Sequence, residues 1–378
     1  MPPAPVETTP LARKLAAKIA AQGPIPFHDY MEACLYDPEY GYYNKRDPLG
    51  RAGDFVTAPE ISQVFGELIG LWAGETWRLM GEPAPMRLIE LGPGHGTLMA
   101  DALRALRVLP GFLKSVTIHL IETSAPLRSA QRTALASAPA PVFWHDRIED
   151  APSGAAAVIA NEFFDCLPVR QYAFDEAARL WRERMVSFTD GRFHFELNTK
   201  GREARAGEGV QAFLAERRAI GDAPIEDGSV LETRPGVAGV LRHFAGRAAL
   251  APFAALIVDY GYSQPSFGDT AQAVRQHRFA GLFEAPGETD LTAHVDFSDL
   301  AAKAKEFNLT ALGPMLMGEW LLRLGLETRL GQLLRRASEE EAADITRRVS
   351  RLVDPKKMGV LFKVLVLTGG GLGTLPPF

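Results

Sequence analysis

The 378-residue sequence has few cysteines, no excess of basic residues and no long hydrophobic run. Two cysteines, Cys34 and Cys166, cannot build a disulfide framework or a four-thiolate metal site, and no CxxC pair occurs. Lys and Arg number 41 against 46 Asp and Glu, so the net charge of −5 offers no general attraction for nucleic acid. No apolar run reaches about 18 residues, the length that a membrane-spanning helix needs. We therefore expect a cytoplasmic protein without a nucleic-acid partner or an integral membrane segment.

Metal-ligand spacing and targeting signals are also missing. The eight histidines include no HExxH or comparable motif, so we predict no metal site. The first ten residues contain three prolines before residue 6 and an acidic Glu7, which fit neither the apolar core of a secretory signal nor an Arg-rich transit peptide. We expect this end to be a frayed tail rather than a targeting signal.

The composition is that of an ordinary globular protein, with 47% hydrophobic and 23% charged residues, and the length exceeds one average domain. The order of motifs along the chain predicts an N-terminal helical and lid region, the first part of a core, an inserted hairpin and helical subdomain, and the remainder of the core. The predicted boundaries are 1–84, 85–167, 168–250 and 251–378.

Strands alternate with helices in the middle of the chain. Met86–Leu91 is predicted as a strand, Gly92–Gly96 as a tight turn, Thr97–Leu106 as a helix and Val116–Ile121 as a second strand, which together form a βαβ unit. This alternation predicts an α/β fold with a mainly parallel sheet. Further predicted elements are strands at Val142–Trp144, Ala156–Ala160, Ala254–Val258, Leu309–Leu312 and Val360–Leu367; hairpin strands at Val169–Phe174, Arg179–Phe188 and Phe193–Leu197; and helices at Leu11–Ala21, Pro59–Met80, Val210–Arg218, Phe297–Phe307 and within Met317–Leu352.

The glycine turn carries the clearest chemistry. Its glycines, Gly92, Gly94 and Gly96, lack β-carbons, which lets the backbone turn sharply and approach a ligand closely. Glu122 ends the second strand, where a carboxylate can accept hydrogen bonds from both hydroxyls of a ribose. The pair favours an adenosine-containing cofactor. The alternative is that the glycines serve only the strand-to-helix turn and that Glu122 is a solvated strand end.

Spacing separates two candidate cofactors. A dinucleotide calls for GxGxxG, whereas this turn reads GxGxG and follows an acidic strand residue, Glu90. S-adenosylmethionine is favoured, because its ammonium and sulfonium are cations that a nearby carboxylate stabilises. Asp146 follows the third strand and is expected to face the adenine amino group; alternatively, it is a surface acid beside Arg147.

Several segments together resemble one family, the MidA-like class I methyltransferases, which are bacterial relatives of the mitochondrial complex I assembly-factor methyltransferase. The matching segments are Gly53–Ser62 with Phe65–Glu67, Glu90–Gly96, Asn161–Asp165 before Leu167–Val169, Asp259–Tyr262 and His294–Phe297. The resemblance covers nearly the whole chain. Cys166 stands where a small alanine is expected, and no mitochondrial presequence precedes Leu11, which points to a bacterial cytoplasmic protein.

The resemblance implies a Rossmann-like, seven-stranded, mainly parallel sheet in the order 3-2-1-4-5-7-6, with helices on both faces and an inserted α+β subdomain. It also implies S-adenosyl-L-methionine as the cofactor. The implied methyl acceptor is an arginine of a protein, in a respiratory-chain subunit.

The segment after the fourth strand is the predicted acceptor site, because open α/β sheets hold ligands at the carboxyl ends of their strands. Glu162 and Asp165 are the candidate catalytic residues, since carboxylates can orient a planar guanidinium and localise charge on one of its nitrogens. Asn161 is assigned to the cofactor. The alternative makes Asn161 and Glu162 a helix cap, with Phe163 and Phe164 in the core.

Two smaller clusters leave alternatives open. Asp54, Thr57 and Glu60 lie where a loop enters a helix, and Asp54 and Thr57 are predicted to cover the cofactor as part of a lid, or else Thr57 is an ordinary N-cap. His294 and Asp296 are either a pair that acts as a general base or, as capping favours, Asp296 simply starts the helix at residue 297.

Three classes of function follow from these interpretations. The first is a methyltransferase dependent on S-adenosylmethionine, and the second is an NAD-dependent oxidoreductase, which the GxGxG spacing disfavours. The third is a non-catalytic assembly factor that binds S-adenosylmethionine without transferring its methyl group. Only an assay separates the first class from the third.

Overall fold

The computed structural model describes residues 9–45, 57–199 and 225–378. Its strands, in chain order, are β1 Ile25–Pro26, β2 Met86–Leu91, β3 Val116–Ile121, β4 Val142–His145, β5 Ala156–Asn161, β6 Arg170–Asp175, β7 Leu180–Thr189, β8 Arg192–Leu197, β9 Val230–Thr233, β10 Phe253–Tyr262, β11 Gln272–Arg275, β12 Arg278–Ala280, β13 Asp290–Thr292, β14 Val295–Asp296, β15 Thr310–Leu316 and β16 Phe362–Gly369.

Helices alternate with many of these strands. In chain order they are α1 Pro10–Gln22, α2 Phe27–Tyr36, α3 Tyr42–Lys45, α4 Ala58–Ile61, α5 Gln63–Leu79, α6 Thr97–Ala105, α7 Pro110–Ser115, α8 Ala125–Ala134, α9 Gly236–Ala248, α10 Phe297–Glu306, α11 Met317–Arg323, α12 Leu326–Leu334, α13 Glu339–Val353 and α14 Met358–Leu361. Within the three described ranges, none of the helices is both long enough and apolar enough to cross a bilayer.

The central sheet, called the core sheet below, has eight strands: seven follow the order β15-β16-β10-β5-β2-β3-β4, and the two-residue strand β14 pairs with the end of β10. Strands β4, β3, β2, β5 and β10 are parallel to one another, whereas β16 is antiparallel to both β10 and β15. The middle strands β5 and β10 are buried along almost their whole length. Strands of this kind are continuous apolar runs because both faces of a parallel sheet are covered by helices.

Two helical layers provide that cover. Apolar residues of α5, α6, α11 and α13 pack on one face of the core sheet. Residues of α9 and α10, including Phe244 and Phe297, pack on the other face. The carboxyl ends of the parallel strands therefore meet at one edge, where neither layer covers them.

A second unit, called the cap below, comprises residues 9–45, 170–199, 225–233 and 272–292. Its larger sheet is β1-β7-β6-β9 with β8 on β7, and its smaller sheet is β12-β11-β13. The N-terminal segment belongs to this unit because Ile25 pairs with Val186 of β7. Leu11 and Tyr30 are buried in one apolar cluster with Phe193 and Leu291, so the cap has a core of its own.

Most of the strands and helices predicted from sequence lie within two residues of their observed bounds, but three differ. The single helix predicted for Pro59–Met80 is wrong, because Ser62 has extended backbone (φ −153°, ψ 130°) and its hydroxyl caps α5 instead. Strand β10 continues past Val258, so Asp259 and Tyr260 lie in a strand. Strand β15 continues to Leu316, four residues past the predicted end at Leu312. The helix predicted for Val210–Arg218 lies outside the described residues.

Candidate active site

A cavity of about 830 Å³ opens at the carboxyl edge of the core sheet and is closed on one side by the cap. Among the predicted site residues, those that line it are Thr57, Glu90, Gly92, Gly94, Glu122, Asp146, Asn161, Glu162 and Asp165. Gly96 is not among the residues that line the cavity, and Asp54 lies outside the described residues. The fold therefore gathers residues from α4 and from the ends of β2, β3, β4 and β5 around one space.

The turn after β2 has the backbone that its glycines allow. Gly92, Gly94 and Gly96 have φ values of 61°, 54° and 83°, in the left-handed region that side chains with a β-carbon disfavour. Gly96 is the N-cap residue of α6 and has no side chain with which to cap it. The first N–H groups of this nine-residue helix consequently face the turn.

Glu90, near the end of β2, is a buried acid with few polar neighbours. It is 2% exposed, and its Oε2 atom has no hydrogen-bond partner among the described residues. Burial raises the pKa of Glu90 to about 8. A cation placed in the cavity beside this carboxyl would stabilise its charged form.

Glu122 is held in place by neighbours that the sequence did not reveal. Its Oε1 accepts the backbone N–H of Ser124 at 2.8 Å, and its Oε2 is 3.3 Å from Nε2 of Gln131. The same Nε2 donates to the carbonyl oxygen of Gly94 at 2.7 Å, while Oε1 of Gln131 accepts the indole N–H of Trp144 at 2.9 Å. Gln131 is fully buried and so ties the glycine turn to Glu122. No spacing rule marks a glutamine in the middle of a helix for this role.

Asp146 lies at the exposed rim of the cavity. Its Oδ1 is 2.6 Å from Nη2 of Arg128, and its side chain is 71% exposed. Arg147, the neighbour considered in the sequence, pairs with Glu149 instead, at 3.4 Å. Arg128 also donates to the carbonyl oxygen of Glu122 at 2.7 Å, so both acids share one positioning arginine.

The segment after β5 turns back through a strained residue. Glu162 has φ 49°, which is unusual for a residue with a side chain. Its Oε1 accepts the backbone N–H of Ala58, the first residue of α4, at 3.0 Å, and also Nδ2 of Asn161 at 3.2 Å. Glu162 therefore caps a helix that lies 104 residues away in sequence, while Thr57, at the N-cap position, makes no side-chain cap within the described structure. Burial raises the pKa of Glu162 to about 7.

The two carboxylate oxygens of Asp165 have different surroundings. Its Oδ2 accepts the phenol of Tyr260 at 2.6 Å, whereas Oδ1 is buried and lacks a hydrogen-bond partner in the part of the chain described. Asp259 holds the loop beneath it by accepting the N–H groups of Phe164 and Asp165 at 3.0 and 3.1 Å. Burial raises the pKa of Asp165 and of Asp259, and the nearby Arg234 acts in the opposite direction on both.

The sequence motif Asp259–Tyr262 was recognised, but neither Asp259 nor Tyr260 could be given a role from it. Their part in the site follows from β10 lying beside β5, which brings Tyr260 to Asp165 across 95 residues of chain. Phe164 is fully buried, as the core alternative predicted, while Phe163 lines the cavity. The core interpretation therefore holds for Phe164, whereas the acceptor role of Glu162 and Asp165 stays a prediction.

The helix-cap interpretation of Asp296 is confirmed. Its Oδ1 accepts the N–H groups of Ser298 and Asp299 at 3.1 and 3.0 Å, which starts α10. His294 lines the cavity, and burial lowers its pKa, which favours the neutral imidazole. Its ring lies edge-on to Tyr260, with centroids 5.5 Å apart.

The cavity thus offers two chemically distinct ends. Near β2, β3 and β4 it has a buried carboxyl, a backbone turn without side chains, and the carboxylate Glu122 with fixed geometry. Near β5 and β10 it has Glu162 and Asp165, both buried. The first set fits the ammonium, the close backbone approach and the ribose hydroxyls of an adenosyl amino acid; the second fits a cationic acceptor.

Comparison with known proteins agrees with this geometry. The family model for S-adenosyl-L-methionine-dependent methyltransferases matches residues 68–315. The mitochondrial protein arginine methyltransferase NDUFAF7 homolog of Drosophila melanogaster is 37% identical over 96% of this chain and 85% of its own length. Mitochondrial protein arginine methyltransferase NDUFAF7 of Homo sapiens is 33% identical over 97% of this chain and 85% of its own.

A solved structure extends the comparison to the fold. A Burkholderia thailandensis protein bound to S-adenosyl-homocysteine superposes with a TM-score of 0.80 at 30% identity, over 98% of this chain and 97% of that one. This chain belongs to the family of S-adenosyl-L-methionine-dependent methyltransferases, and S-adenosylmethionine, rather than the dinucleotide that the sequence left open, is its cofactor.

Proposed function

We propose that this methyltransferase acts on the guanidinium of an arginine in a protein substrate, and that Glu162 and Asp165 bind that guanidinium. The observation that carries the proposal is Oδ1 of Asp165, a buried carboxylate oxygen that lines the cavity without a hydrogen-bond partner among the described residues. A buried anion of this kind is costly unless a cation or donor satisfies it. The names of the relatives, which act on protein arginine, support the same acceptor.

The cofactor end of the proposal uses the other lining residues. Glu90 is assigned to the ammonium, the backbone of Gly92 and Gly94 to the amino-acid moiety, and Glu122 to the ribose hydroxyls. Gly96 is assigned to the shape of the turn, and Asp146 to the adenine. Asn161 and Thr57 are also assigned to the cofactor. When bound, S-adenosylmethionine supplies an electrophilic methyl group on a sulfonium. The lid role of Asp54 is part of the same proposal and falls outside the described residues.

At the acceptor end, the chain must orient a cation and accept a proton. A free guanidinium has a pKa above about 12, so it enters charged and loses its proton during or after attack on the methyl carbon. Tyr260 occupies Oδ2 of Asp165, which leaves Oδ1 as the oxygen that can hold one guanidinium N–H and take up the proton. Glu162 sits beside it, joined to α4 through Ala58. Rate acceleration then comes mainly from positioning the nucleophilic nitrogen.

The proposal extends to a respiratory-chain subunit as the substrate, on the family resemblance of the sequence, and to a cytoplasmic location, on two cysteines that cannot build a disulfide framework. The geometry of the cavity supports only the acceptor chemistry, a cationic planar group.

The substitution Glu162→Gln tests the acceptor assignment. It keeps the size of the side chain and one oxygen for Ala58, but removes the charge. Affinity for S-adenosyl-homocysteine, measured by isothermal titration, should be unchanged, while methyl transfer to an arginine peptide should fall at least about a hundredfold, the scale of one lost preorganised electrostatic contact. Mass spectrometry of the peptide gives the rate and the modified residue.

Three outcomes would count against the proposal in different ways. Full activity of both Glu162→Gln and Asp165→Asn would reduce this loop to a structural cap. Full activity of Glu162→Gln alone would assign the acceptor to Asp165. Cofactor binding by the wild-type protein, without transfer to arginine in peptides or in extracts of a strain lacking the protein, would favour the non-catalytic assembly factor.

A further inference from the structure

The cap closes the acceptor end of the cavity with an acid that the sequence did not single out. Asp290, the first residue of β13, is 4% exposed and lines the cavity. Its Oδ1 accepts the phenol of Tyr43 at 3.3 Å, across 247 residues of chain. Three residues later, the N–H of Ala293 donates to the backbone oxygen of Asp165 at 3.0 Å. The strand that begins with Asp290 therefore ends against the acceptor loop.

Two tyrosines of the cap stand between these acids. The rings of Tyr36 and Tyr43 are stacked, with centroids 5.8 Å apart and an interplanar angle of 29°. The phenol of Tyr36 donates to the backbone oxygen of Cys166 at 2.9 Å, next to Asp165. Both tyrosines line the cavity. Aromatic faces attract cations, and guanidinium stacks on them better than ammonium does.

The electrostatics place both carboxylates around the same space. Burial, followed by the charges of Asp165 and Asp290, raises the pKa of the Cys166 thiol well above its usual range. Burial, and then Asp290, raises the pKa of Tyr43 as well. Among the described lining residues, Arg147 supplies the one Lys or Arg side chain, and it follows β4, three strands from β5 along the sheet. The side chains that line the acceptor end are thus acidic and aromatic, and Arg234 lies outside this lining, where it donates to the backbone oxygens of Leu167 and Ala293.

We propose that Asp290 is a specificity-determining residue of the acceptor site, and that Asp165 and Asp290 bind the acceptor guanidinium from two sides, with Tyr36 and Tyr43 against its plane. This inference rests on the proposed function and adds the cap to it. A guanidinium has donors on more than one edge of a rigid plane, so two carboxylates can each bind a separate edge. A lysine ammonium is a compact point charge that cannot span both in this way. The cap then selects arginine over lysine, while Asp165, on the core-sheet side, serves the reacting nitrogen.

The substitution Asp290→Asn tests the inference in the full-length protein. Asparagine keeps the size of the side chain and an oxygen for Tyr43 but removes the charge. KM for an arginine peptide should rise at least tenfold or so, the scale of a lost charged hydrogen bond, while kcat stays within about twofold. That split is expected because Asp290 contacts an edge of the guanidinium equally before and during transfer. Selectivity for the arginine peptide over its lysine counterpart should fall in parallel.

Three control variants separate recognition of the guanidinium by Asp290 from structural support of the cap by Asp290. Asp227→Asn removes an exposed cap carboxylate that accepts the N–H of Glu176 at 3.1 Å, away from the cavity, and should change nothing. Tyr43→Phe keeps the ring but loses the hydroxyl, and should raise KM by less than about threefold. Asp290→Glu keeps the charge one methylene further out, and should bind the arginine peptide better than Asp290→Asn does.

Binding of the arginine peptide to the protein loaded with S-adenosyl-homocysteine gives a readout that needs no methyl transfer. Wild-type binding that weakens at least tenfold or so in Asp290→Asn supports the inference, even if the wild type transfers no methyl group and the proposed function fails. Wild-type transfer with unchanged KM and binding in Asp290→Asn overturns the inference alone. Equal losses in Tyr43→Phe and Asp290→Asn, or weaker binding of S-adenosyl-homocysteine in Asp290→Asn, would make Asp290 a structural residue and also overturn it.

Discussion

The two ends of the cavity are built in different ways. The cofactor end comes from a single stretch of the core sheet, and its internal links are short in sequence, as between Gln131 and Gly94, 37 residues apart. The acceptor end is assembled from segments that are far apart: Ala58 with Glu162, Tyr260 with Asp165, and Tyr43 with Asp290, at separations of 104, 95 and 247 residues. Local sequence encodes the first end, whereas the second exists only when β10 lies beside β5 and the cap and α4 dock on the core sheet.

The ends nevertheless share an electrostatic device. Glu90 at one end and Glu162 at the other are buried carboxyls whose pKa values burial raises to about 8 and about 7. Each is disfavoured as an anion in the unliganded protein and becomes favourable when a cation binds. Under the proposed function, both ligands are recognised through their positive charge.

The largest expected effect comes from a substitution that blocks the cofactor end of the cavity and leaves the acceptor end intact. Gly94→Val places a branched side chain at φ 54° inside the cavity, so affinity for S-adenosyl-homocysteine should fall at least about a hundredfold, as measured by isothermal titration. Gly191→Val is the matched control in the cap, at φ 75°, where an added β-carbon would have no described atom within 4 Å beyond its chain neighbours.

Both glycine variants carry comparable backbone strain, of the order of 1–2 kcal/mol, so both should unfold at a lower temperature. Only the Gly94 variant should lose the cofactor. Native affinity in a folded Gly94→Val protein would mean that the turn does not face the ligand.

An intermediate effect separates the binding and stability roles of Glu90. Because its folded pKa of about 8 lies above the usual value of 4.5, the neutral carboxyl favours the folded state, and stability is lost as pH rises from about 4.5 to 8. Glu90→Gln removes that loss. Relative to wild type, its free energy of unfolding should therefore gain roughly 2–4 kcal/mol between pH 4.5 and 8.

The same variant should bind S-adenosyl-homocysteine about tenfold or more weakly at pH 8, because the ammonium loses a charged partner. Urea denaturation across the pH range measures the first effect and titration the second. Glu340→Gln, on the exposed surface of α13, is the control and should change neither. A parallel pH profile of stability for wild type and Glu90→Gln would contradict the burial of this charge.

The smallest expected effect is at Asp296, where the chain passes from the cap to the core sheet. Asp296→Ala removes the N-cap side chain of α10 and should lower the free energy of unfolding by about 1 kcal/mol, measured with denaturant. Because the carboxylate points at the helix and not at the reacting groups, kcat should stay within about twofold of wild type. A tenfold loss of kcat with unchanged stability would instead support the alternative in which His294 and Asp296 together act as a general base.

The core sheet was largely predictable because its elements carry strong local patterns. The strand, glycine turn and helix of residues 86–105 followed from apolar runs and glycine spacing. The break at Ser62 was missed, because the apolar positions continue at helical spacing on both sides of it and only a serine hydroxyl accepting from Val64 marks the new helix. Gln131 was missed for a similar reason, since a single buried amide leaves no periodic trace.

The acceptor end was predictable only in part. Glu162 and Asp165 could be placed at the edge of the sheet because they follow a buried strand. Their contacts with Ala58 and Tyr260, and the position of Asp290 on the same cavity, could not be assigned, because each depends on a separate docking event in the tertiary structure. The domain division at residue 84 remains a prediction, alongside the observation that residues 9–45 pack with the insertion.

By itself, the sequence determined the βαβ unit, the glycine turn with Glu90 and Glu122, the family and hence the cofactor, because backbone conformation and strand burial depend on nearby residue types. The tertiary structure decided which side chains meet across the cavity. It left Oδ1 of Asp165 open by giving Oδ2 to Tyr260, and it brought Asp290 to the same space. The reason is physical: pairing between distant segments is selected by the packing of whole surfaces, and no short stretch of chain records the orientation that results.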